Sequence, residues 1–337
     1  MIRKALILLI YLVSLNAFCA SDDGAAAYAR GDFESALRLF KAQADSGDRG
    51  ALNNLGVMYL KGRGVPVDYG RARRLFESAS EQNLAGAMFN LAIMHFRGYG
   101  QAVDQAQALT WFQRSAAAGD REAQFFLGLM FAKGEGVQAN VDTAREWFSR
   151  AANQGLAAAQ FNLAMLHLGN EDDPQSEALA VKWLTMAAEQ NHRDARLQLA
   201  KVHLSHIDDP MRAERAAQLM RELADTGDEE AQMQLGLMYT FGHGVEPAPE
   251  EGRFRLREAA LQGFTAAQIN LAALYAQGIG TVPDAVRAYA WLTVSAEHSN
   301  EAKHALDDLI AELDAEQLSA GDRAADALRE KMRIDLP

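Results

Sequence analysis

Cysteine is almost missing: Cys19 is the one example in 337 residues. That excludes a disulfide framework and a structural zinc site built on thiolates. Proline is scarce, at 7 residues, and aromatic side chains make up 8%, while Ala and Leu abound, a balance that favours helix throughout. Positive charge is in deficit. Against 45 Asp and Glu stand 33 Lys and Arg, a formal net charge of −12. Such a surface repels phosphate backbones, so no nucleic acid is expected as partner. Disorder is excluded by 49% apolar residues and 23% charged ones, and the length suits two or three ordinary domains or one extended array.

Long apolar runs are also lacking, with one exception at the start. Arg3 and Lys4 precede an apolar run from Ala5 to Leu15, and the uncharged stretch stops at Asp22. It falls short of the roughly 20 residues a spanning helix needs. The layout is that of a secretory signal peptide, expected over residues 1–20. Cleavage after Cys19 leaves Ala17 and Cys19 at the small-residue positions, whereas cleavage after Ala20 sets bulky Phe18 there. Phe18 is likewise too large for a lipid-anchor signal at Cys19. The expected mature chain has a charge of −14, no stable membrane insertion, and a periplasmic or secreted destination.

What the sequence does contain is a repeat. Leu55, Leu91, Leu127, Leu163, Leu199, Leu235 and Leu271 stand 36 residues apart. So do Ala51, Ala87, Ala123, Ala159, Ala195, Ala231 and Ala267, and the linker positions Gly47, Asn83, Gly119, Gly155, Asn191, Gly227 and Gly263. Each unit reads as two helices. Ala51, Leu55, Met58 and Tyr59 share one helical face; Gly62-Arg63-Gly64-Val65-Pro66 breaks the helix; Asp68 is placed to cap a second one carrying Ala72, Leu75, Phe76 and Ala79. Small residues let helix axes approach, and Phe76, Trp111, Trp147, Trp183 and Trp291 are expected to fill the gaps between pairs. One pair cannot bury both of its faces, so each must lean on its neighbours and a solenoid follows.

These units resemble the Sel-one-like repeat (SLR) family, 36-residue relatives of tetratricopeptide repeats. The likeness is clearest in Ala123-Gln124-Phe125-Phe126-Leu127-Gly128, then Gly134-Glu135-Gly136-Val137, then Ala144, Trp147, Ala151-Ala152 and Gly155. It implies an all-α fold, a right-handed superhelical solenoid of antiparallel helix pairs used for protein–protein contact. The expected organisation is an N-terminal half-repeat cap over 21–46, seven repeats over 47–298, and a C-terminal helical cap over 299–337. In that last segment Ala302, Leu306, Leu309, Ile310 and Leu313 line one face, and a further helix is expected near Asp314, with Gln317 closing a capping box.

The chemistry-bearing patterns reduce mostly to architecture. The Gly-x-Gly loops follow helices and are not followed by Lys, so they read as turns and not as phosphate cradles. His95, His167 and His203 occupy a column held elsewhere by Tyr59, Phe131, Tyr239 and Tyr275. Neighbouring members of such a column lie at least one helix spacing apart, about 8–10 Å, too far to share one zinc. No catalytic signature occurs, and the paired repeat cysteines of a family branch credited with β-lactamase activity are missing, so no enzyme, cofactor or metal is expected.

Two sets stand out as partner-binding candidates. Phe89, Phe125 and Phe161 lie opposite the core stripe, where they either complete a helix packed all round or line a groove for a partner helix. In the fourth and fifth repeats the glycine loops give way to Glu171-Asp172-Asp173-Pro174 and His206-Ile207-Asp208-Asp209-Pro210. There Asp and Pro suit a helix start, while Glu171, Asp172, Asp173, His206, Asp208 and Asp209 are candidates to meet a basic partner or a cation. The expected function is a non-enzymatic scaffold of the bacterial cell envelope that binds a protein partner; the alternatives are a binder of cell-wall glycan, less readily an enzyme acting on it, and a rigid spacer.

Overall fold

The computed structural model describes residues 23–170 and 175–334; the expected signal peptide and Glu171, Asp172 and Asp173 lie outside the described residues. Among the described residues there are 18 helices and no strand. The chain forms two compact units, the first ending at Ala187 and the second starting at Ala188. In the first are α1 (Asp23–Ala29), α2 (Phe33–Asp45), α3 (Arg49–Lys61), α4 (Tyr69–Glu81), α5 (Ala85–Arg97), α6 (Gln105–Ala117), α7 (Arg121–Lys133), α8 (Val141–Asn153), α9 (Ala157–Leu168) and most of α10 (Ser176–Glu189). The second holds α11 (Arg193–Leu204), α12 (Pro210–Ala224), α13 (Glu229–Phe241), α14 (Pro249–Leu261), α15 (Thr265–Gln277), α16 (Ala285–Ser295), α17 (Asn300–Ile310) and α18 (Ala315–Ile334).

Within each unit the helices pack as antiparallel pairs, α3 with α4 or α13 with α14, and each pair leans on the next through contacts such as α4 with α5 and α14 with α15. The fold is an all-α repeat solenoid. No helix among the described residues is long and apolar enough to cross a membrane.

The helix ends follow from local chemistry. Asp48, Asp68, Asp104, Asp120, Asn140, Asp228 and Asp284 each accept a hydrogen bond from the backbone N–H three residues on, at 2.7–2.9 Å. Each such cap stabilises its helix by about 1 kcal/mol. Every linker position of the 36-residue column has positive φ, including Asn83 at 58° and Asn191 at 62°. The Gly-x-Gly loops do two jobs. Gly62 takes the left-handed conformation and ends α3 by donating its N–H to the carbonyl of Met58. Gly64 sits so close to the start of α2 that a Cβ there would stand 2.9 Å from the Phe33 carbonyl oxygen. Gly136 stands the same way against Gln105 in the first turn of α6, and Gly280 against Pro249 in α14. Each loop thus docks on the second helix of the preceding pair.

The core corrects one expectation. The gaps between helices are filled by Phe40, Phe76, Phe112 and Phe148, all at most 1% exposed, with Leu256 in the same register of the second unit. Phe76 belongs to this column; the tryptophans stand one position earlier in the repeat, where Trp183 and Trp291 are buried as expected but Trp111 and Trp147 are only half-buried. The ring faces of Trp111 and Trp147 instead carry the guanidinium groups of Arg114 and Arg150 at 4.3 and 4.4 Å. Small residues opposite the plugs are obligatory: a Cβ on Gly56 would meet Phe76 at 2.6 Å, and one on Gly128 would meet Phe148 at 2.5 Å.

At the C-terminal end, Asp314 and Gln317 form the reciprocal capping box, at 3.0 and 2.8 Å. Ala302 of α17 is fully buried, but Ile310 remains 38% exposed. The larger cover comes from α18. It lies against α16, where Ala325 packs with Ala290 and Val294, and the Tyr289 hydroxyl donates to Asp322 Oδ1 at 2.9 Å. That is why α16 is apolar on a side where α4 carries Arg73 and Arg74.

Candidate functional site

Phe89, Phe125 and Phe161 lie inside, at 0%, 4% and 7% exposure. Phe89 packs on Phe112 and Phe126 with ring centroids 5.7 and 5.6 Å apart, and Phe125 on Phe148 at 5.8 Å. The column therefore joins one pair to the next and offers a partner no open groove, because these first helices are apolar on both sides and covered on both.

His206, Asp208 and Asp209 are exposed in the loop between α11 and α12. Asp209 is a helix cap: its Oδ1 accepts from the N–H groups of Met211 and Arg212 at 3.0 and 3.3 Å, with Pro210 opening α12. His206 Nδ1 lies 3.1 Å from Ser205 Oγ. Among the described residues no group of three or more metal-ligating side chains assembles. His95 is held by Gln101, whose Nε2 is 2.6 Å from its Nδ1, and burial lowers the His95 pKa, so its ring is neutral near pH 7.

The repeat register brings out residues that no single helix advertises. Gln124, Gln160, Arg196, Gln232 and Gln268 share one column, and each donates a hydrogen bond to the carbonyl eight residues earlier, which closes the end of the preceding helix. The signal is present in the sequence, 36 residues apart, but the mixture of Gln and Arg hides it until the geometry shows what they share. Asn53 and Asn90 break the apolar pattern at 0% exposure, and Asn90 Nδ2 donates to Asn53 Oδ1 at 2.8 Å between α3 and α5.

The loop edge of the first unit has a chemistry of its own. Lys61 and Arg97 are the last residues of α3 and α5, and Lys133 is the last of α7. Arg63 lies over the Phe33 ring at 5.4 Å, Arg71 over Tyr59 at 4.5 Å and Arg97 over Phe96 at 5.5 Å. One repeat on from the Phe33–Arg63 stack, Tyr69 and Tyr99 stack at 5.5 Å and 11°. Burial, with Arg63 beside it, lowers the Lys61 pKa.

A chain of 36-residue helix pairs, joined by glycine loops that dock on the preceding pair, defines a helix-pair repeat solenoid. The Sel1 repeat pattern matches residues 50–84, 85–120, 121–156, 157–192, 229–264 and 265–300, more than half of the chain. The protein belongs to the Sel1 repeat family, whose members are generally protein-interaction scaffolds and typically non-catalytic. The pattern skips residues 193–228, where His206 to Pro210 replace the glycine loop, although α11 and α12 still pair and keep Ala195 and Leu199 buried. Among solved structures, protective antigen c5321 of uropathogenic Escherichia coli, which displays an SLR fold, is 26% identical with a TM-score of 0.54, over 91% of this chain and 75% of that one. A Sel1 repeat protein from Oxalobacter formigenes is 26% identical with a TM-score of 0.49, over 82% of this chain and 98% of that one. No curated protein sequence matches the chain.

Proposed function

We propose that this chain is a scaffold of the bacterial cell envelope, exported by a cleaved signal peptide over residues 1–20, that holds a protein partner on the outer surface of its repeats. The observation that carries this reading is the contrast between an invariant interior and a chemically varied loop edge. Ala and Leu columns recur every 36 residues, while the edge changes from Lys61 and Arg97 to Asp208 and Glu246. Selection for folding alone gives no reason for that change of sign. The export-like start and the likeness to a protective antigen support an envelope setting. Membership of a family of interaction scaffolds favours a protein partner over cell-wall glycan.

The test is photo-crosslinking in living cells with the full chain, using a crosslinking amino acid at the exposed loop positions Val67, Val103 or His243 and mass spectrometry of the adducts. The expected result is one reproducible envelope protein at the loop edge, with the N-terminal residue of the recovered chain at position 20 or 21. Adducts confined to cytoplasmic proteins, or none above background at all three positions, would contradict the proposal.

A further inference from the structure

The charge of this protein is unevenly placed. Between residues 23 and 117 there are 11 Lys and Arg and nine Asp and Glu; from residue 118 to the end, 20 stand against 35. An acidic protein thus carries a cationic first quarter. Four of the nine acids there, Asp32, Asp48, Asp68 and Asp104, are helix caps whose carboxylates accept backbone N–H groups. Among the described residues Lys61, Arg63, Arg71 and Arg97 form no ion pair, and the run ends at Lys133, which meets Glu135 at 3.8 Å. Arg73, beside them on α4, bonds Gln101 Oε1 at 2.9 Å.

These cations are held in place. The guanidinium groups of Arg63, Arg71 and Arg97 rest on rings, which fixes their position while leaving their N–H edges in water. Burial, and after it the neighbouring Arg63, makes the Lys61 charge costly, and an anion near both would relieve that cost. Exposed Arg beside half-buried Tyr is also the composition of protein-binding hot spots.

We propose that the loop edge of the first unit, from Lys61 through Arg97 to Lys133, docks an extended acidic segment of a partner protein. The segment's carboxylates bond the ammonium and guanidinium groups, and its apolar side chains lie on Phe33, Tyr69 and Tyr99. Equivalent cations on adjacent repeats stand one helix spacing apart, about 10 Å. A polyproline-II chain, rising about 3.1 Å per residue with three residues per turn, spans that in three residues while keeping every third side chain on one side. The recognised pattern is therefore a carboxylate at every third position. The short length of the run and the acidic remainder of the chain disfavour a long polyanion such as nucleic acid. The inference rests on the scaffold reading and names the chemistry of its partner.

The test uses the full chain and a fluorescein-labelled peptide, Glu-Ser-Leu-Glu-Ser-Leu-Glu-Ser-Leu-Glu, with fluorescence anisotropy at 50 and 150 mM salt. The expected result is saturable binding that weakens at least tenfold in Arg63→Glu plus Arg97→Glu and in the milder Arg63→Gln plus Arg97→Gln, with unchanged circular dichroism. The control Arg215→Glu, on α12, should bind as the parent does. A peptide of the same composition with its four Glu residues contiguous should bind several-fold more weakly. Equal binding by the edge variants and the parent overturns the inference. So does tighter binding of a single-stranded oligonucleotide of equal charge, or displacement of the peptide by a second copy of the chain seen as a salt-sensitive dimer in sedimentation. Crosslinked partners that persist unchanged in the edge variants sink this inference alone, whereas no crosslinked partner at all sinks the scaffold reading beneath it.

Discussion

Phe112→Ala and Trp111→Ala alter neighbouring large aromatic residues on α6, yet the structure assigns them different fates. Phe112 is fully buried, stacked on Phe126 at 5.1 Å and 12°, with Phe89 at 5.7 Å and Phe96 at 6.2 Å. Truncating such a ring removes its transfer energy and leaves a cavity, a loss of about 3–5 kcal/mol. Its ring contacts place the loss toward the upper part of that range. Trp111 is half-buried and carries Arg114 over its face at 4.3 Å. An exposed cation–π pair is worth about 0.5–1 kcal/mol, so with partial burial Trp111→Ala should cost about 1–2 kcal/mol. Urea unfolding followed by far-ultraviolet circular dichroism measures both. Hydrogen exchange should show the Phe112→Ala loss in α5 to α8 first, because repeats depend on their nearest neighbours. If Trp111→Ala costs as much as Phe112→Ala, the assignment of the buried column is wrong.

Three further outcomes follow from the same physics. Asp120, a half-buried cap of α7, has its pKa raised to about 6 by burial. The folded state therefore holds that proton more tightly than the unfolded one, where the pKa is about 3.9, and stability falls as pH rises from 4 to 6, by at most about 3 kcal/mol. Asp120→Asn keeps the cap and should flatten that part of the pH profile; His95 and His192, whose pKa values are lowered by burial, act in the opposite sense, so the comparison is made on the difference between the two proteins. For the Asn53–Asn90 pair, Asn90→Ala should cost about 1–3 kcal/mol by stranding Asn53, while Leu at both positions should be close to neutral, both measured by urea unfolding. Gly136→Ala forces a residue into the left-handed region at φ 69° and sets its Cβ 2.8 Å from the Gln105 carbonyl oxygen, so a loss of at least about 1 kcal/mol is expected, visible as a lower thermal midpoint.

The 36-residue Leu, Ala and Gly columns make the helix pairs, their glycine-terminated ends and the Asp68 cap legible in the amino-acid order itself, because those features depend on residues close in sequence. Less is legible where two helices from different pairs meet. Phe76 and Trp111 look interchangeable as large apolar residues, and only the packing separates the buried ring at Phe112 from the half-buried one at Trp111. Phe89, Phe125 and Phe161 are ambiguous between interior and groove for the same reason: a helix apolar on both sides can be covered twice or left open once. The second function of the Gly-x-Gly loop, docking on the preceding helix, is hidden because Gly64 and Phe33 are 31 residues apart. The contribution of α18 is hidden too, since its partner α16 precedes α17. The cationic edge is masked because an overall charge of −12 averages over the whole chain.

Modularity underlies the whole fold: each pair is stable through its neighbours, and the neighbours repeat every 36 residues. Deleting residues 121–156 in one step tests it most directly. The shortened chain should keep its mean residue ellipticity and a single cooperative urea transition with a reduced slope, since α6 then meets α9 through the same columns. A deletion of 30 residues from the same start leaves the columns on its two sides out of phase and should lower or split the transition. If the in-phase deletion is as damaging as the out-of-phase one, the repeat is not the folding unit and modularity is contradicted.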